Sequence, residues 1–446
     1  AGAIWGLLTA TRLTRGEEDA GRWDLLIVGR TTRRHATAQA LAGLAGAWLL
    51  LWALTAAGTL TAGLQPRVGF SVGECLLYAT TGTASAAMFL AVGTFTSQLG
   101  STRRQANALA GGVFAVAWLL RMLADGGVLP AWARWTTPLG WVENLAPLTE
   151  PDPWALLPVA ALTAGAAVAA VVLAGRRDVG QGLLARSASP RAHPRLLDSP
   201  LGLAVRLERW PALAWTVGLG ALGLVFGLVA RAAAAGTFGS QSVGSVVDGG
   251  EAAASPAAGW IGYELLYLAA ILAFAGAAQI WALRAEEESG HLAHLLARRV
   301  SRRTWLAGRL AVGAAMVAIA GLAIGLGGWL GVGGRGGLGV SDLLEAAVNV
   351  AVPGLLVLGL GAALYGLVPR LVVPVLSAFV LWSFLVEIIG STLHVSWLVH
   401  TSVLDLLGPV PAVAADWPRI GAVLAFGCLG VVVGMVGFDH RDLLES

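Results

Sequence analysis

WLAGRLAVGAAMVAIAGLAIGLGGWL, residues 305–330, holds one charge, Arg309, in an otherwise apolar run. About 20 such residues in an α-helix cross a hydrocarbon core roughly 30 Å thick. The run is continuous rather than alternating, so it does not fit a β-barrel strand. Nine further runs of this kind lie at 37–61, 75–99, 106–123, 155–174, 212–230, 260–283, 344–368, 371–390 and 420–438. Residues 1–14 read as the tail of an eleventh. The fold class expected is all-α integral membrane.

Composition agrees. Apolar residues make up 57% of the 446 and charged residues 12%, too little charge to cover a water-soluble surface. Every basic side chain is Arg, and the sequence has no Lys. A P-loop needs its Lys on the nucleotide phosphates, and pyridoxal chemistry needs a Schiff-base Lys, so neither is expected in this chain. Cys75 and Cys428 fall in apolar runs and are expected to be buried, inert thiols.

Arg placement orients the spans, because cytoplasmic connections carry the excess of positive charge. The connections alternate between Arg-rich and Arg-poor, and 23 of the 29 Arg fall on one face, taken as cytoplasmic. Only Arg67, Arg121, Arg134, Arg231, Arg335 and Arg419 fall on or towards the other. Residues 176–211 are polar and Pro-containing and are expected to link a first half, 1–175, to a second, 212–446. Residues 237–255, rich in Gly and Ser, are expected to form a flexible outer connection. Residues 129–152, with Trp132, Trp135 and Trp141 among prolines, are expected to form a short helix at the outer headgroups.

The two long cytoplasmic loops repeat each other. RGEEDAG at 15–21 matches RAEEESG at 284–290, and the match runs without a gap through Arg30/Arg299, Arg33/Arg302, Arg34/Arg303 and Leu41/Leu310. Ten of 27 aligned positions are identical, many of them charged, so shared hydrophobicity does not explain them. The halves also end alike, RRDV at 176–179 and HRDL at 440–443. Six spans separate the copies, and an even number puts both loops on one side. This is a parallel repeat of six-span halves. About twelve spans are then expected in the full protein, the first missing here and the second partial.

Each loop should fold as a short helix, with carboxylates favoured at its start, Arg at its end and a glycine turn between. Topology alone needs only Arg, so duplication of Glu-Glu-x-x-Gly points to a protein contact. The candidate coupling residues are Arg15, Glu17, Glu18, Gly21, Arg30, Arg33 and Arg34, and in the second copy Arg284, Glu286, Glu287, Gly290, Arg299, Arg302 and Arg303. The carboxylates could meet basic groups of a partner, and the Arg pairs anionic headgroups.

The pattern Arg-x-Glu-Glu-x-x-Gly, Leu-Leu, then Arg-Arg before a span resembles the loop of ABC-2-type exporter permeases. PLGWVE at 138–143, RRDVGQGLL at 176–184 and SPLGLAVR at 199–206 make the chain similar, over nearly its whole length, to the polyketide-antibiotic (tetronasin-type) multidrug exporter permeases of high-GC bacteria. The resemblance implies twelve spans in one chain and a place in the bacterial cytoplasmic membrane. It also implies a separate ABC ATPase, acting as a pair and docked at the two loops. ATP and Mg would sit on that partner, with no cofactor or metal on this chain. The substrates implied are amphipathic or hydrophobic drug-like molecules. His291 and His294 stand where the first loop has Arg22 and Leu25.

Glu264 and Glu345 lie near span ends, where water reaches them; Glu387 lies deeper and is the one intramembrane carboxylate left open to a functional role. His291 and His294, three residues apart, lack further ligands for a metal. Gly223/Gly227, Gly321/Gly325 and Gly430/Gly434 are spaced for close helix packing. A self-contained carrier driven by an ion gradient is the competing reading, weakened by the want of a charge relay. A membrane enzyme lacks any catalytic constellation, and nothing suggests nucleic acid.

Overall fold

The computed structural model describes residues 2–29, 31–178, 181–184, 196, 199–234, 256–297, 300–333, 338–393, 396–406 and 408–442. Among these residues the protein is all-helical, without strands, and ten helices are long and apolar enough to cross a membrane. All ten expected spans are present. The chain divides into two compact units, Ala1–Asp125 with Leu129–Arg191, and Gly126–Val128 with Ala192–Ser446. The expected outer connection at 237–255 lies outside the described residues.

The first unit opens with α1 (Gly2–Thr11), a π-helical turn (Arg12–Gly16), α2 (Glu17–Asp19) and α3 (Arg22–Ile27). The long helices α4 (Arg33–Gly63), α5 (Val72–Leu99) and α6 (Arg103–Asp125) follow, then the short α7 (Pro138–Asn144) and α8 (Leu156–Ala174). Local chemistry fixes their starts. Ser71 and Glu74 form a reciprocal cap on α5, the Glu74 amide reaching Ser71 Oγ at 3.2 Å and the Ser71 amide reaching Glu74 Oε2 at 2.7 Å. Helix α5 is the centre of the unit, with Met88 and Phe89 fully buried. Helix α1 lies on it backbone to backbone: a Cβ on Gly6 would stand 2.7 Å from Ala86 O, and one on Gly93 2.9 Å from Leu7 O.

At the far end of this unit the PLGWVE stretch forms α7, behind a 3-10 turn, Ala131–Thr136. Thr137 caps α7, Pro138 takes its first turn, and a Cβ on Gly140 would meet Arg134 O at 2.1 Å. Glu143 accepts from Arg121 Nε at 2.6 Å, tying α7 to α6. Trp132 and Trp135 are exposed, as interfacial side chains would be.

The second unit holds α9 (Pro200–Ala234), α10 (Pro256–Glu288), α11 (His291–Leu296), α12 (Arg302–Val332), α13 (Val340–Leu367), α14 (Val372–Leu393), α15 (Ser396–Val399) and α16 (Trp417–His440). Helix α9 begins inside the stretch read as linker: Pro200 suits a first helical turn, and Pro211 is accommodated within the helix. Lipid tails give helices no hydrophobic reason to associate, so close contact has to come from small residues. A Cβ on Gly223 would stand 2.3 Å from Ile324 O, and one on Gly227 2.3 Å from Gly328 O, across α9 and α12. Between α13 and α16 the same holds for Gly359 against Gly427 O (2.2 Å), Gly366 against Gly434 O (2.2 Å) and Gly430 against Gly359 O (2.6 Å). The glycine pairs are thus packing devices, as expected. Cys75 is buried, but Cys428 is exposed and corrects its expectation, lying on the same outward side of α16 as Leu429 and Val432.

Candidate functional site

The repeated loop folds the same way in both units. Gly21 (φ +72°) and Gly290 (φ +74°) take the left-handed conformation that turns the chain into α3 and α11. A side chain there would crowd the backbone, which explains why the glycine is duplicated. Each turn is closed by the glycine amide donating to the carbonyl three residues back, Glu18 O and Glu287 O, both at 3.0 Å. The next long helix is then capped by Thr32 in one unit and Ser301 in the other, which align.

Glu18 and Glu287 were expected to face a partner. Both are buried, at 6% and 4% exposure. In the first unit Arg15, fully buried, reaches Glu18 Oε2 at 3.0 Å. Arg177, just beyond the last span, grips the same carboxylate with two bonds, Nη1 to Oε1 at 2.6 Å and Nη2 to Oε2 at 2.7 Å. In the second unit Arg284 lies 3.5 Å from Glu287 Oε2, and Arg441 makes the same two-bond contact, at 2.7 and 2.8 Å. A buried charge has to be paired, and only a planar guanidinium offers a carboxylate two parallel donors. Each unit therefore has a latch of Arg, Glu and Arg that locks the loop to the exit of the last helix.

The Arg pairs before α4 and α12 reach the same helix exit from the next span. Arg33 donates to the Arg177 carbonyl and approaches Asp178 at 3.3 Å. Arg302, its counterpart, donates to the Arg441 carbonyl at 2.6 Å. Arg34 lies against Gly175, where a Cβ would touch its side chain, and Arg303 pairs at 2.8 Å with Asp439, the residue aligned with Gly175. Arg30 and Arg299 lie outside the described residues. Sequence reasoning noted the shared Arg-Asp ending but did not join Arg177 and Arg441 to the loops.

The surroundings differ between the units. Arg15 also donates to Ser101 O at 2.6 Å, and Arg177 Nε to Gln98 Oε1 at 2.8 Å, so the first latch extends into the α5–α6 corner. Residues 181–184 strap the same corner, the Leu183 and Leu184 amides donating to Gln98 O and Leu99 O. Burial draws the Arg15 pKa below its ordinary value, with Glu18 the main opposing influence. Arg441 instead sits 5.0 Å over the rings of Tyr365 and Phe438.

The remaining carboxylate pair is not equivalent. Glu17 is on the surface and bonded to Arg22, which holds its carboxyl below the usual range. Glu286 is turned inward, 3.6 Å from Arg309, and Arg309 also meets Glu208 of α9 at 3.1 Å. The first loop has Ala40 where the second has Arg309. His291 bonds Ser289 at 2.6 Å, and no group that could hold a metal occurs among the described residues.

Fold and latches together define a multi-pass helical membrane protein with a duplicated, charge-locked loop. Its class is that of membrane permeases. The chain belongs to the family of the multidrug efflux system permease Rv1217c: that family's C-terminal domain matches residues 197–439, and the Mycobacterium tuberculosis (strain ATCC 25618 / H37Rv) protein named "Multidrug efflux system permease protein Rv1217c" is 31% identical over 468 residues, covering 99% of this chain and 80% of the relative.

Proposed function

We propose that this chain is the membrane-spanning permease subunit of an ATP-driven ABC exporter, carrying amphipathic or hydrophobic drug-like compounds out of a bacterial cell. A separate P-loop ATPase supplies the energy as a homodimer with bound ATP and Mg. It docks at the two loops, on the cytoplasmic side of the cytoplasmic membrane, where the Arg excess lies. The observation that carries this reading is the paired latch. A loop that only signalled orientation would need surface charge, whereas these loops are fixed by buried Arg–Glu–Arg locks to the last helix of their own unit. A loop fixed in this way can pass a push at its surface to the spans. The multidrug efflux relative supports the direction and the substrate class.

The test is co-reconstitution in vesicles with a candidate P-loop ABC ATPase, sought first in the neighbouring reading frames. Uptake of a fluorescent drug into inside-out vesicles should need ATP and both subunits. Uptake that proceeds without the ATPase and collapses on dissipating the proton gradient would overturn the proposal in favour of a secondary carrier.

A further inference from the structure

The first unit contains a recess between three of its helices. Helices α4 and α8 form its walls and α5 its floor, enclosing about 610 Å³, within the roughly 300–1,000 Å³ usual for small-molecule sites. Leu44 and Trp48 line one wall, Val159 and Thr163 the other, with Ala87 and Ala91 below.

The repeat explains why the recess exists. Counting back from Leu99 and Leu367, the last residues of α5 and α13, Ala91 aligns with Gly359. Counting back from Arg177 and Arg441, Thr163 aligns with Gly427 and Ala170 with Gly434. In the second unit Gly359 lies against Gly427, and a Cβ there would come within 2.2 Å of a carbonyl oxygen. The first unit carries that Cβ, on Ala91, and a threonine opposite it. Helix α8 therefore cannot approach α5 as α16 approaches α13. Exposure to lipid alone does not hold two helices apart, since in the second unit α16 lies directly on α13.

The lining specifies the ligand. No charged side chain is among the described lining residues. The Trp48 indole N–H is spent on Thr83 O at 3.1 Å, and the Thr80 and Thr163 hydroxyls donate to Leu76 O at 2.8 Å and Val159 O at 2.7 Å. The walls have no spare donor, so a ligand gains nothing there from a strong acceptor or an anionic group and gains by apolar contact. We infer that the α4–α5–α8 recess is a binding site for uncharged, hydrophobic, drug-sized molecules. This rests on the exporter reading only in taking such a molecule to be the cargo.

Photolabelling tests it on the whole chain in lipid nanodiscs, with 3-trifluoromethyl-3-phenyldiazirine as probe and excess N-phenyl-1-naphthylamine as competitor. Peptides of α4, α5 and α8 should take up label saturably and lose it to the competitor. Thr163→Leu and, separately, Ala87→Leu should lower that labelling about tenfold, a loss of roughly 1.4 kcal/mol in affinity. Label on the exposed Leu429 and Val432 of α16 should stay unsaturable and unchanged. Two variants, one in a wall and one in the floor, guard against one that fails to fold. Label in the recess that rises linearly and resists competition, as on α16, would mean lipid chains alone occupy it and would overturn the inference. The assay uses neither ATP nor transport, so failure of the efflux experiment leaves its result intact, and the reverse holds too.

Discussion

The first loop and the second share ten side chains, but those side chains do not all do the same work. Glu18 and Glu287 occupy one environment twice, each buried between two guanidinium groups. Glu17 and Glu286 align just as well, yet one is partly exposed beside Arg22 and the other is held by Arg309 on the inner side. Identity between repeats marks a common geometry only where the partners are repeated as well. Arg177 and Arg441 are repeated, so the latch is too; Arg309 is not, so the Glu286 contact belongs to one half.

The largest effect expected comes from breaking a latch. Glu18→Ala leaves Arg15 and Arg177 buried without their carboxylate, and Glu287→Ala does the same to Arg284 and Arg441. Each should cost about 3–5 kcal/mol, the usual penalty for removing one partner of a buried ion pair. Thermal unfolding of the purified protein in detergent reads this directly. A large loss in one half with almost none in the other would end the claim that the latches are equivalent.

Glycine packing gives the next contrast. Gly359→Ala should destabilise by about 1–3 kcal/mol, because its Cβ has only a carbonyl to push against. Gly165→Ala, in open space, should be neutral or stabilise by up to about 1 kcal/mol. A neutral Gly359→Ala in the same thermal assay would remove the proposed reason for the recess.

Gly21→Ala and Gly290→Ala should each cost about 1–2 kcal/mol, since both backbones are left-handed. Double-mutant addition tests whether the turns are independent: the sum should hold to within about 0.5 kcal/mol. The smallest effect separates the unequal carboxylates. Glu17→Ala should leave stability essentially unchanged, while Glu286→Ala strips a partner from the buried Arg309 and should cost about 1–3 kcal/mol. In the reconstituted exporter the two changes together should lower drug-stimulated ATP hydrolysis and efflux in parallel, with the membrane level of the protein unchanged. Wild-type efflux in that double variant would remove both carboxylates from any part in coupling.

The spans were legible because a hydrocarbon core demands one pattern, about 20 apolar residues, and the chain meets it ten times. The loops were legible for the opposite reason: charged residues are scarce here, so their recurrence stands out. The latch was only half legible. Arg177 lies far along the chain from Glu18, and nothing in local spacing says that they meet. The inward turn of Glu18 was hidden as well, since a carboxylate in a loop reads as exposed until its partners are placed. The recess was not legible at all. It depends on the absence of glycine at 91 and 163, and an alanine or threonine in an apolar helix carries no signal until its glycine counterpart is found in contact.

The ungapped match between the halves starts at Arg15, and the π-helical turn Arg12–Gly16 explains why it starts there. Counting back from Arg15 and Arg284 would place Gly6 opposite Ala275, but the residue that does the work of Gly6, lying against the carbonyl aligned with Ala86 O, is Gly276. One extra residue is folded into the first half, and the wider turn holds it. Mechanically, the two levers are then unequal. In the second half α10 runs unbroken from Pro256 to Glu288, a stiff rod ending at its latch. In the first, the π-helical turn Arg12–Gly16 interrupts the α-helical ladder between α1 and the latch. If the loops pass a push to the spans as proposed, one applied at Glu287 meets an unbroken helix, while one applied at Glu18 has to cross the π-helical turn first.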